Sequence, residues 1–163
     1  MRSKQPPAPY FSPLTPHFPH SGTVLCFDFG LKRIGVAVGE IELGTVHPLT
    51  TVTEVITEQR FAAIAGLIEE WRPVLLVVGV PSNPDGGEHK LAETCRRFAR
   101  RLEGRFELPV ALVDEQFTSA SASSALRDAG VTGRKQKVVL DQVAAQEILE
   151  AYFSENASRH KND

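Results

Sequence analysis

Between residues 23 and 52 the apolar positions come in short runs broken by glycine. Thr23–Phe29 is one run and stops at Gly30; Ile34–Val38 is a second and stops at Gly39. Runs of this length bounded by turn residues predict strands, and Gly30-Leu31-Lys32-Arg33 between them is short enough for a hairpin. A third β-rich stretch, Gly44–Val52, makes the opening a three-strand meander.

The period then changes. Phe61, Ile64, Ala65, Ile68 and Trp71 fall on one face of a helix, and Pro73 marks where it must have ended. Val74–Val80 is continuously apolar, as expected of a central strand covered on both faces. A polar loop, Pro81–Glu88, leads to a helix near His89–Leu102, a strand at Val110–Val113 and a helix over about Ser119–Asp128. Gly130 and Gly133 interrupt the chain before a last helix over about Val138–Phe153. The order is βββαβαβαα: an α/β protein with a five-stranded mixed sheet and helices on both faces. Residues 23–155 form the expected domain. Residues 1–22, which hold Pro6, Pro7, Pro9, Pro13, Pro16 and Pro19, are expected to be a disordered extension, and 156–163 a polar tail.

Three acids stand where this pattern does not explain them. Asp28 ends the first strand between Phe27 and Phe29; its side chain could cap the Gly30 turn or do chemistry. Asp114 and Glu115 end another strand, either as loop acids or as part of a site. Asp141 shares one helical stripe with Val138, Ala145, Ile148, Leu149 and Tyr152, so it points toward the sheet. Ligand sites in open α/β sheets gather at strand carboxyl ends, where these acids can converge. Three bare carboxylates repel one another, and divalent cations relieve that conflict. Oxygen-only donors select Mg²⁺ or Mn²⁺, with Asp28, Glu115 and Asp141 as ligands and Asp114 as a possible fourth. Two such ions about 3.5–4 Å apart can activate water and stabilise the leaving oxygen in phosphodiester cleavage.

Composition changes this picture little. The chain has 163 residues, 42% of them hydrophobic, and a net charge of −2, so any nucleic-acid contact must come from local clusters. Lys32 and Arg33 follow Asp28, and Arg134, Lys135 and Lys137 lead into the helix of Asp141. These are the candidate phosphate contacts. A second basic group, Arg96, Arg97, Arg100, Arg101 and Arg105, is read as solvated surface. Cys26 and Cys95 make neither a disulfide framework nor a zinc site. With no secretory signal and no apolar stretch near the ~18 residues of a membrane span, a cytoplasmic protein without membrane partners is expected.

The segment Asp28-Phe29-Gly30-Leu31-Lys32-Arg33-Ile34-Gly35-Val36-Ala37 closely resembles the opening motif of the YqgF (RuvX) family, Holliday-junction-resolvase-like proteins proposed to act on the 16S rRNA precursor. Gly79-Val80-Pro81 with Asp85-Gly86, Asp114-Glu115-Gln116-Phe117-Thr118-Ser119 and Leu140-Asp141-Gln142-Val143-Ala144-Ala145 resemble its other three motifs, in order. The resemblance covers about residues 23–153. It implies an RNase H-like fold and Asp28, Glu115 and Asp141 as catalytic acids. Thr118, within the third motif, and Asn83, in the loop Pro81–Glu88 that is expected to shape the substrate channel, join the basic residues as substrate contacts. Gln116 stands where the family usually has arginine, which removes a permanent positive charge beside the acids.

The expected function is metal-dependent phosphodiester cleavage, with precursor rRNA favoured and structured DNA as the other substrate, by a monomer or weak homodimer. Two alternatives remain open: resolution of four-way DNA, and a non-catalytic RNA-binding or transcription-associated module.

Overall fold

A computed structural model describes residues 19–81, 90–115 and 133–161. Its strands are β1 (Thr23–Phe29), β2 (Ile34–Glu40), β3 (Thr45–Val52), β4 (Leu75–Val80) and β5 (Val110–Asp114). Its helices are α1 (Thr57–Trp71), α2 (Lys90–Phe106) and α3 (Arg134–Lys161). The sheet runs β3-β2-β1-β4-β5. The first three strands are antiparallel, and β4 and β5 are parallel to β1. The meander and the mixed five-stranded sheet are therefore as expected. The helix expected over Ser119–Asp128 lies outside the described residues, as does most of the Pro-rich segment.

The last helix is longer than its apolar stripe suggested. It begins at Arg134 rather than near Val138, and it continues through most of the polar segment from 156 on. A hydrophobic period marks only the turns that touch the sheet; turns that project past it are polar and still helical. Arg134, Lys135 and Lys137 consequently sit in the first helical turns, not before them.

The two faces of the sheet are packed differently. Leu25, Phe27, Leu76, Val78 and Val110 point to one face and meet Phe61 and Ile64 of α1 with Phe98, Ala99 and Leu102 of α2. Val24, Cys26, Ala37, Val77 and Ala111 point to the other and meet Ala144, Ala145, Ile148 and Leu149 of α3. On β2 this second face carries Gly35, Ala37 and Gly39, and small residues there let α3 lie close to the sheet. β3 is an edge strand, and Pro48, with no N–H to give, sits where its ladder with β2 slips register.

Candidate active site

Strand alternation places Asp28 on the α3 face. Val24 and Cys26 point that way, Leu25 and Phe27 the other, so the next residue in phase is Asp28. Opposite it in β2 stands Gly35, and opposite Gly35 in β3 stands Thr51. On the other side, the β1–β4 pairing reaches Phe27–Val78, which brings Gly79 next to Asp28. The row across the sheet therefore reads Thr51, Gly35, Asp28, Gly79.

Each neighbour of Asp28 in this row makes room for another acid. A methyl group at Gly35 would overlap the main-chain carbonyl of Asp141, so only glycine lets α3 settle there. At Gly79 a methyl group would stand 3.2 Å from Cγ of Glu115 and 2.5 Å from Cδ1 of Ile148. Thr51 completes the seating of α3: its hydroxyl donates to the carbonyl of Val138 at 2.7 Å and accepts from Nε2 of Gln142 at 3.2 Å. These two anchors flank Asp141. Strand β1, the end of β5 and the start of α3 thus bring Asp28, Glu115 and Asp141 to one end of one sheet face.

All three carboxylates are buried, at 6%, 6% and 4% exposure. Burial raises the cost of leaving a charge uncompensated by several kcal/mol. Part of the compensation is Arg33, whose Nε donates to Oδ2 of Asp141 at 2.6 Å. The acids' field also reaches both cysteines. Burial first, then Asp28 and Glu115, push the Cys26 thiol well up. Burial, then Glu115 and Asp28, push Cys95 up to about 12, with Arg96 opposing. The two thiols lie on opposite sides of the sheet, in the clusters under α3 and α2.

The other expected residues are less uniform. Asp114 is exposed while Glu115 is buried, because consecutive residues at a strand end point to opposite sides. Lys32 and Lys135 are exposed and Lys137 half-buried. Arg33 is turned inward onto Asp141 rather than outward. Asn83, Gln116, Thr118 and the Arg134 side chain lie outside what is described. Among the described residues, no three of His, Cys, Asp and Glu stand together as a ready metal site.

Four residues that shape the site were not singled out in the sequence. Gly35 and Gly79 had a signal, since glycine inside an apolar strand marks close approach of another group. Thr51 had none, because its partners are about 90 residues away. Arg60 on α1 likewise had none: it looks like any polar position near a helix start. It is 7% exposed, and burial pulls its guanidinium below its ordinary value.

Residues 22–155 match the family described as RuvX, Holliday junction resolvase. The chain belongs to this family. A RuvX relative from Methylobacillus flagellatus is 64% identical over 137 residues, covering 84% of this chain and 94% of its own length. One from Chromobacterium violaceum is 60% identical over 132 residues, covering 80% of this chain and 96% of its own length. Both carry the provisional name pre-16S rRNA nuclease. Among solved structures, Thermus thermophilus RuvC in complex with a Holliday junction superposes with a TM-score of 0.51 at 17% identity. That match covers 84% of this chain and 96% of RuvC. The fold is accordingly RNase H-like. No helix among the described residues is long and apolar enough to cross a membrane.

Proposed function

We propose that this RuvX protein is a nuclease that cleaves phosphodiester bonds in the precursor of 16S rRNA, with Asp28, Glu115 and Asp141 as its catalytic acids. The observation that carries the proposal is the burial of three carboxylates at one end of one sheet face, beside Gly35 and Gly79, whose lack of a side chain leaves room for Asp141 and Glu115. The names of relatives at 60% identity and above support the substrate.

The donor set, oxygen only, suits Mg²⁺ or Mn²⁺. With Arg33 closed on Asp141, however, the described residues do not present a ready site for such an ion. The chain's own groups support the reading in two further ways. Buried charges act in a low local dielectric, where their effect on a reacting phosphate is larger than in water. Lys32 and Lys135, both exposed, offer positive charge to a polyanion that a protein of net charge −2 would not otherwise attract. The proposed setting is the cytoplasm, and the proposed state a monomer or weak dimer.

The family's own description favours a second reading, resolution of four-way DNA. Paired symmetric cuts require a two-fold dimer. One experiment separates the readings: cleavage of precursor 16S rRNA, unstructured RNA and four-way DNA side by side, with Mg²⁺, with Mn²⁺ and with chelator. Preferential cleavage of the precursor, lost in Asp28→Asn, is the expected result. Cleavage by Asp28→Asn equal to wild type sinks the proposal, and preference for the junction transfers it to the second reading.

A further inference from the structure

Arg60 belongs to α1, on the face of the sheet opposite α3, yet its guanidinium reaches the turn that follows Asp28. Its Nη2 donates to the carbonyl of Gly30 at 2.8 Å and to that of Leu31 at 2.8 Å. Its Nε donates to the carbonyl of Glu54 at 2.6 Å, in the segment before α1. Its Cζ lies 5.3 Å from the centre of the Phe29 ring. One planar group thereby ties together two connections that are distant in sequence, the β1–β2 turn and the β3–α1 link.

This is an unusual way to use a buried charge. Arg60 as a residue is 7% exposed, so its guanidinium loses part of its hydration, and carbonyl dipoles with an aromatic face make up for some of that loss. The carbonyls gain as well. β1 ends at Phe29 and β2 begins at Ile34, so Gly30 and Leu31 lie past the ladder that would have supplied donors. The turn itself is tight: a methyl group at Gly30 would come within 2.5 Å of the carbonyl oxygen of Arg33. At the far end of the same turn, Arg33 delivers Nε to Asp141 at 2.6 Å.

We infer that Arg60 is a positioning residue of the site: it fixes the turn of residues 30–33 so that the Arg33 guanidinium arrives on Asp141. Lysine would not do the same, because a single ammonium cannot present separated donors to Glu54 on one side and Gly30 and Leu31 on the other. The functional weight of this inference rests on Asp141 being a site acid, as proposed above; the geometry it predicts does not.

The test is NMR on the ¹⁵N-labelled full chain, reading exchange of arginine Nε–H groups with water. Loss of one signal in Arg33→Lys assigns Arg33. In wild type, that proton is expected to exchange at least about tenfold more slowly than those of exposed arginines such as Arg101. Asp141→Ala should abolish the protection. Arg60→Met should abolish it too while the β1 and β4 amides stay protected, which separates positioning from general destabilisation. Arg60→Lys should restore it only in part, and it carries the same test if Arg60→Met does not fold.

Three results overturn the inference: no protection in wild type, protection that survives Arg60→Met, or protection lost only together with the core amides. None of these measurements involves cleavage. An inactive protein with a protected Arg33 would sink the nuclease reading and leave the role of Arg60 standing.

Discussion

The sheet has one face built for bulk and one built for approach. Under α1 and α2, large side chains interlock: the Phe98 ring lies 5.9 Å from Phe27 in an edge-on contact, 4.8 Å from Phe29 and 5.9 Å from Phe61. Under α3, the β2 strand offers Gly35, Ala37 and Gly39, and the helix answers with Ala144 and Ala145. Bulk fills volume and stabilises by burial. Small residues bring the helix backbone close to the strands, so that its first buried side chain, Asp141, lies at the same end of the sheet face as Asp28 at the end of β1 and Glu115 just past β5. Stability and chemistry are thus divided between the two sides of the same five strands.

That division can be attacked from each side. Phe98→Ala removes the hub of the bulky face, and a loss of about 3–5 kcal/mol of unfolding free energy is expected by denaturant titration. Gly35→Ala adds a single methyl group to the thin face. It should cost about 1–3 kcal/mol, and it should lower cleavage more than that loss of stability explains, because the displaced atom belongs to Asp141. If Gly35→Ala loses stability but cleaves as wild type does, the thin face is only packing.

The thiols report on the same boundary. With Cys95 pushed up to about 12, only ~1 part in 10⁴ of it would be thiolate at pH 8. Cys26 is displaced in the same direction by burial and the same two acids. A thiol reagent at pH 8 should therefore leave the native chain unmodified over a time in which the denatured chain reacts fully. The sign for stability follows. Folding favours the neutral thiols, so their contribution is complete below the unfolded thiol pKa and declines as pH rises above it.

The smallest effect is expected on the outer surface of α2. Arg100 pairs with Glu93 at 3.2 Å, both well exposed, and Arg100→Ala should change stability by less than about 0.5 kcal/mol. A similarly small change in RNA affinity would agree with reading this arginine group as solvated surface. A large loss of affinity would move the substrate to the α1/α2 face and undo the division of labour between the two sides of the sheet.

What the chain determines by itself is local and periodic. The helical phase of α3 was enough to turn Asp141 toward the sheet, whereas Asp28, at the end of an apolar run, stayed open between a turn cap and a site acid until the register of β1 placed it on the α3 face. Runs of uninterrupted apolar residues marked β4 as central. These signals survive in one dimension because each depends on neighbours within a turn or a strand. Helix α3 shows the limit: the sequence of its first and last turns is polar, so no apolar stripe marked them.

The rest is a matter of distance along the chain. Thr51 finds Val138 and Gln142 about 90 residues away, and Arg33 finds Asp141 across 108. Arg60 reaches back about 30 residues to capture a turn. Each of these is an ordinary polar residue until tertiary packing removes its water and brings distant partners within reach. Burial, not residue type, decided which polar groups shape the site, and burial is a property of the assembled sheet.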